Sequence, residues 1–209
     1  MLYYKQKGSM AEEGIKETCE MCGKRKIFVM LNMNMEKDYN IVDLIKIICR
    51  KNLISKNDTE YILNNVILRP ANNTELSDED MNILYNACDV GVNSCLGEGF
   101  GICNFEHACF GKPQIFSNVG GLKDIFEEHK NFCYPVNPVA SIYIASNIDT
   151  RNGYGNVTDP KDFCKGISFY YNNRETMLTH GKILKEKLIN EYKWDIQLKL
   201  FYKNIFAEI

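Results

Sequence analysis

The chain has 209 residues, 45% of them hydrophobic and 25% charged, with Lys+Arg 25 against Asp+Glu 27 and a formal net charge of -2. That length and balance fit one or at most two globular domains with a real core, and a near-neutral chain lacks the positive field that drives nonspecific nucleic-acid binding, so no nucleic-acid partner is expected. No run approaches the roughly 18 consecutive apolar residues of a membrane span, and the N-terminus has no signal-peptide pattern, so a cytoplasmic protein without a membrane span is expected.

Residues 1–26 are polar and mixed, without a sustained apolar period, and read as an irregular leader or remnant. They hold Cys19-Glu-Met-Cys22, which has the spacing of half a zinc knuckle or of a redox pair. No second pair follows, and the histidines are His107, His129 and His180, so free thiols and no metal site are the expectation. The 9 cysteines are odd in number and scattered through apolar segments, which suits reduced core residues rather than a disulfide framework.

From Ile27 the pattern becomes regular. Ile27-Phe-Val-Met-Leu31 reads as a strand buried on both faces of a parallel sheet, and Ile41, Leu44, Ile45 and Ile48 recur at helical spacing. A strand follows at 66–68, ended by Pro70; Ser77 then caps a helix with an acidic first turn that runs to about Cys88. A strand over 89–93 enters the loop Leu96-Gly97-Glu98-Gly99-Phe100-Gly101, after which Ile102, Phe105 and Cys109 mark one helix face. Gly111 ends that helix, a strand occupies 114–116, and Gly120-Gly121 leads into another helix. Residues 135–158, rich in Asn, Pro and Gly, read as a long connection, and the rest as helices. The alternation predicts an α/β fold over 27–209: a doubly wound parallel sheet with helices on both faces.

In such sheets ligands bind outside the carboxyl ends of the strands, which directs attention to the loop after Asn93. Gly97, Gly99 and Gly101 let backbone N–H groups approach a ligand, and the following helix start presents a partial positive charge, a combination that favours phosphate. A glycine-rich turn can equally be a steric necessity, and this one has neither a dinucleotide fingerprint nor a P-loop ending. A Rossmann-like oxidoreductase is disfavoured for that reason. Glu98 would face a cradled ligand or be a solvated loop acid; Glu106 would accept from a diol or complement the helix dipole. Asn72 and Asn73 read as turn formers.

Residues 84–124 contain Leu-Tyr-Asn-Ala-Cys-Asp-Val-Gly-Val-Asn-Ser, then Gly97-Glu-Gly-Phe-Gly-Ile-Cys-Asn-Phe-Glu106, then Gly111-Lys-Pro and Val119-Gly-Gly-Leu-Lys-Asp124. This stretch resembles the donor-binding C-terminal domain of retaining GT-B glycosyltransferases of family 4, and looks closest to versions encoded by large algal DNA viruses. The likeness includes two glutamates separated by seven residues, the embedded Gly-Phe-Gly, the Gly-Lys-Pro turn and the later Gly-Gly, in order, and extends over 27–209. It implies a UDP- or GDP-linked nucleotide sugar as donor substrate, no cofactor and metal-independent transfer with retention of anomeric configuration. By the same resemblance Glu98 contacts the donor sugar, the Gly99-Phe100-Gly101 backbone meets the diphosphate, and Gly97 belongs to the same substrate-binding loop. Glu106 holds the ribose, and Gly120 and Gly121 shape the neighbouring turn.

Two departures from the family stand out. The segment that should supply an Arg and a Lys to the diphosphate reads Asn32-Met33-Asn34-Met35-Glu36-Lys37-Asp38. Lys37 is either the catalytic lysine or an ordinary loop lysine, whereas Met33 occupies the Arg position, and loss of such a contact typically costs about two to three powers of ten in rate. The second departure is length, which holds only the C-terminal of two Rossmann-like domains and leaves acceptor binding to a separate domain or subunit. The apolar positions of the segment from Trp194, with Ile196, Leu200 and Ile205, are expected to be partly exposed. The sequence thus points to a glycosyltransferase donor domain, with a catalytically inactive nucleotide-sugar-binding module or the remnant of a truncated glycosyltransferase as the alternative.

Overall fold

A computed structural model describes residues 2–3, 27–31, 40–68, 76–144 and 153–206. Cys19, Cys22, Met33, Lys37, Asn72 and Asn73 lie outside the described residues. The chain divides into two compact units, Met1–Asp89 and Val90–Ile209.

The first unit contains strands β1 (Leu2–Tyr3), β2 (Phe28–Leu31) and β3 (Val66–Leu68) with helices α1 (Ile41–Lys51), α2 (Lys56–Asn64) and α3 (Asp78–Ala87). The apolar run of β2 pairs in parallel with β3, Val29 opposite Val66. Leu2 and Tyr3, within the stretch read as an irregular leader, pair antiparallel with β2. Side chains cap each helix at its start. Asn40 Oδ1 accepts from Asp43 N–H, and the Ser55 and Ser77 hydroxyls accept from Asp58 and Asp80 N–H while donating to the same aspartates' carboxylates. The cap at Ser77 matches its sequence signal. Helix α2 was not foreseen, because Lys56-Asn-Asp-Thr-Glu has no apolar period; its one local signal is the Ser55-x-x-Asp58 cap.

In the second unit β4 (Cys88–Asn93), which begins at the unit boundary, lies parallel to β5 (Gln114–Ser117), and β5 lies parallel to β6 (Tyr134–Val136). Helix α4 (Ile102–Cys109) joins β4 to β5; α5 (Gly120–Phe126) and a 3-10 turn over Glu127–Phe132 join β5 to β6. Ile115 and Phe116 show why helices cover both faces, since successive strand side chains point oppositely. Phe116 joins Ala108, Leu122, Ile125, Phe126, Leu184 and Leu188 in the core. Ile115 lies on the other side, under Gly166 of α6 (Pro160–Asn172), where an added Cβ would fall 3.1 Å from the Ile115 Cγ2. Helix α7 (Arg174–Glu191) presses Gly181 onto the end of α4, leaving a Cβ there only 2.0 Å from the Gly111 carbonyl oxygen. Gly111 itself takes φ 79°, the left-handed stop expected of it. The α/β architecture with parallel strands is therefore the one the alternation predicts.

Two expectations need correction. Residues 135–158 are not a plain connection: β7 (Pro138–Ile144) and β8 (Gly153–Thr158) form an antiparallel hairpin. The Asn, Pro and Gly content hid the β-branched and aromatic residues Ile142, Tyr143, Tyr154 and Val157 that pair across it. In α4 the predicted face is inward only in part, since Phe105 and Cys109 pack half-buried against the core. Asn104, His107 and Ala108 are buried, while Ile102 is exposed. The polar pair escapes an apolar-period search because its burial depends on hydrogen bonds rather than hydrophobicity.

Helix α8 (Trp194–Phe206) has no buried residue among those described, and Trp194 is 81% exposed. Cys49, Cys88 and Cys133 are buried free thiols, Cys95 and Cys109 half-buried, and Cys103 and Cys164 exposed. Among the described residues no helix is long and apolar enough to cross a membrane.

Candidate functional site

The glycine-rich loop leaves the carboxyl end of β4 and is held at its base by a buried polar relay. Asn93 Oδ1 accepts from the Cys95 N–H at 2.9 Å, turning the chain, and Asn93 Nδ2 donates to Asn104 Oδ1 at 2.7 Å. Asn104 Nδ2 donates to Gln114 Oε1 at 2.9 Å, and Gln114 Nε2 donates to the Lys112 carbonyl at 2.8 Å, which fixes the orientation of the amide. The same nitrogen lies 3.1 Å from His107 Nδ1, so that ring nitrogen is the acceptor. Gly91 makes room for this relay, since a Cβ there would fall 2.0 Å from Gln114 Oε1. The relay locks strand end, helix and neighbouring strand together, since buried hydrogen-bond networks rigidify what they connect.

The three loop glycines differ in what constrains them. Gly101 adopts φ 82° as the N-cap of α4, and a Cβ there would lie 2.3 Å from Leu122 Cδ2, so glycine is a steric requirement. At Gly97 and Gly99 an added Cβ would meet nothing within 4 Å among the described residues. Packing within the protein thus explains Gly101 and leaves the space in front of Gly97 and Gly99 open.

Gly120 and Gly121 are tied to the same loop. Gly121 N–H donates to the Glu98 carbonyl at 3.0 Å. A Cβ on Gly120 would lie 2.2 Å from that carbonyl oxygen, and one on Gly121 would lie 2.2 Å from the Gly99 carbonyl oxygen. The start of α5 is therefore seated against the backbone of Glu98, Gly99 and Phe100. Gly120 and Gly121 act as a steric saddle for the loop.

Glu98 is half-buried, and its Oε1 accepts from the Gly99 N–H at 3.0 Å. Burial first, and the Glu98 carboxylate second, push the Cys95 thiol above its ordinary pKa, which keeps it protonated and a poor nucleophile. The Phe100 ring stacks 5.7 Å from Phe105, which meets Tyr192 edge-on at 5.1 Å, so this side chain anchors the loop while its backbone remains near the loop tip. Helix α4 begins without a side-chain cap. Its first N–H groups, at Ile102 and Cys103, thus keep the partial positive charge of a helix start. Glu106 is exposed one turn further on, on the same side as Ile102 and Cys103.

The structure thus gathers Gly97, Glu98, Gly99, Phe100, Gly101, Gly120 and Gly121 into one assembly and sets Glu106 on the helix that opens from it. Lys37, the remaining candidate, lies outside the described residues. Sequence reasoning missed the relay of Asn93, Asn104, His107 and Gln114. Polar residues three apart on a short helix between two glycines were the available signal. It also missed the contact made by the hairpin, where the Asn156 N–H donates to the Leu96 carbonyl at 2.6 Å. Among the described residues no group of three or more His, Cys, Asp or Glu side chains is arranged to hold a metal ion.

Comparison with known proteins agrees with this geometry. Residues 73–146 match the family model described as Glycosyl transferases group 1. No curated protein matches the chain by sequence. Among solved structures, sucrose-phosphate synthase from Thermosynechococcus elongatus aligns with a TM-score of 0.54 and 17% identity, over 87% of this chain and 39% of its own. Anabaena HepE in complex with UDP aligns with a TM-score of 0.51 and 14% identity, over 80% of this chain and 37% of its own. The shared fold is that of GT-B glycosyltransferases with Rossmann-like domains, and the chain spans less than half the length of either structure.

Proposed function

We propose that the chain is the donor-binding part of a retaining glycosyltransferase, taking a UDP- or GDP-linked sugar at the loop Gly97 to Gly101 and transferring it without a metal ion. The observation that carries this reading is the contrast among the glycines. Gly97 and Gly99 have no internal steric reason to lack a side chain, in a loop that leads into an uncapped helix start. Open backbone N–H groups beside a helix N-terminus suit a diphosphate. The match of 73–146 to Glycosyl transferases group 1 supports the same substrate class, as does the UDP held by the similarly folded HepE.

In this reading Gly97, Phe100 and Gly101 present backbone N–H groups to the diphosphate, and Gly99 adds its own as the Glu98 carboxylate, which holds that N–H in the structure, turns to accept from hydroxyls of the donor sugar; Glu106 accepts from the ribose diol. As the bond from the anomeric carbon to the diphosphate breaks, negative charge grows on the leaving oxygen. Preoriented N–H dipoles, with Lys37 as the cation, stabilise it more than they stabilise the ground state. The relay beneath the loop keeps those dipoles in place without reorganisation. The acceptor is bound mainly by a separate domain or subunit.

A second reading, a nucleotide-sugar-binding module without catalysis, is favoured by Met33 at the position where the family carries a phosphate-binding arginine. Thermal melting with a panel of UDP-, GDP- and ADP-sugars tests the common core of both readings, because a ligand that binds only the folded state raises the melting temperature. One nucleotide sugar should stabilise the chain selectively, and Glu106→Ala should remove the shift. A shift unaffected by Glu106→Ala contradicts the ribose assignment. Glu98→Ala separates the readings: loss of donor hydrolysis with nucleotide affinity retained identifies an enzyme, and loss of affinity alone identifies the module.

A further inference from the structure

The β7–β8 hairpin has no part in the donor assembly, yet it is attached to it. The Asn156 N–H points away from β7 and donates to the Leu96 carbonyl, two residues before Glu98. At the hairpin's base the Thr158 hydroxyl lies 3.4 Å from that of Ser117, at the carboxyl end of β5. The hairpin thus stands at the ligand-binding end of the parallel strands.

Its register places Ser141 opposite Asn156 and Tyr143 opposite Tyr154. Both pairs are two residues apart along their strands, so the four side chains share one face, with the tyrosines about 7 Å along from the Leu96 bond. Ser141 Oγ donates to Asn156 Oδ1 at 2.9 Å, and the two tyrosine rings meet at 5.4 Å and 69°. Tyr143 is nevertheless 59% and Tyr154 77% exposed. A cross-strand aromatic pair is worth only about 0.2–1 kcal/mol to a hairpin, a small return for exposing two large rings beside a site.

The chemistry of this face selects its occupant. Neither Pro138–Ile144 nor Gly153–Thr158 contains a Lys, Arg, Asp or Glu. The face therefore carries no charge to pair with a phosphate or a charged peptide. Aromatic rings beside a hydroxyl and an amide suit a neutral sugar, whose ring C–H groups lie flat on an aromatic face while its hydroxyls bond at the edge. We infer that the face formed by Tyr143, Tyr154, Ser141 and Asn156 is a saccharide subsite, holding a neutral sugar ring of the acceptor beside Glu98. This rests on the donor-site reading above, which it extends to the class of acceptor.

Saturation-transfer NMR on the full chain tests it, with maltohexaose, cellohexaose and mannohexaose as probes and melting with UDP-glucose and GDP-mannose run in parallel. At least one hexasaccharide should receive saturation on its ring C–H protons. Removing either ring, by Tyr143→Ala or Tyr154→Ala, should weaken its binding by about threefold to tenfold, while Tyr→Phe at either position retains most of it. The nucleotide-sugar melting shift should be the same in the double alanine variant as in the wild type, which also verifies its folding. The inference is overturned if no hexasaccharide is saturated, or if saturation persists undiminished in the double variant. It is overturned too if that variant instead changes the sedimentation of the protein, which would make the tyrosines a contact between copies. Saccharide binding without any nucleotide-sugar shift would count against the donor site, and a shift without saccharide binding against the hairpin alone.

Discussion

Glycine has two meanings in this site, and they lead to opposite consequences on substitution. At Gly97 and Gly99 an alanine methyl enters open space, so Gly97→Ala and Gly99→Ala should leave stability within about 0.5 kcal/mol of wild type yet abolish stabilisation by nucleotide sugars. At Gly101 the left-handed backbone and Leu122 oppose any side chain, and at Gly121 the Gly99 carbonyl does. Those alanine variants should lower the melting temperature outright, by the equivalent of about 1–3 kcal/mol. Melting curves of the four variants with and without UDP-glucose and GDP-mannose check both halves, and unchanged ligand stabilisation in Gly97→Ala and Gly99→Ala would contradict the phosphate role. From sequence, the three loop glycines looked alike. What distinguishes them is a φ angle and a neighbour from α5, neither of which is encoded in the loop itself.

At the level of elements, the fold places the site through close approaches of backbone to backbone. Helix α5 sits on the glycine loop through Gly120 and Gly121, and α7 sits on the end of α4 through Gly181. Gly181 lies in mid-helix, where alanine would ordinarily gain about 1 kcal/mol of helix propensity. Here the methyl would lie 2.0 Å from a backbone oxygen that no rotamer change can move. Gly181→Ala should therefore destabilise the protein by a net of about 1–2 kcal/mol, read as a lower urea midpoint; a raised midpoint would contradict the packing of α7 on Gly111. The strands and most helices were legible in advance because they follow hydrophobic period and caps: β3 and α4 fall at the expected positions, and Ser77 caps as its sequence announces. The exceptions were β1, two residues inside the stretch read as a leader, β6, at the edge of the stretch read as a connection, α2, whose signal is a cap without a period, the hairpin, masked by turn-forming residues, and the buried face of α4. In that last case Asn104 and His107 face inward because Gln114, on a strand reached only after the Gly111 turn, supplies their partner.

On the scale of the whole molecule, the motif that resembles a glycosyltransferase donor loop and the geometry built around it converge on one claim, that a nucleoside diphosphate is held by the backbone of residues 97–101. The apolar residues Trp194, Leu198, Phe201 and Ile205 of α8 are exposed, which offers a surface to the separate acceptor-binding domain proposed above. The claim itself concerns one loop and can be tested on this chain alone. The most direct measurement is a titration of the 15N-labelled protein with UDP and GDP, followed by amide NMR, with uridine and guanosine as controls. The account predicts saturable shifts for the amides of Gly97, Gly99, Phe100, Gly101 and Cys103 with a diphosphate, and little change at those amides with the bare nucleosides. Shifts confined to residues away from this loop, or no saturable shift with either diphosphate, would contradict it.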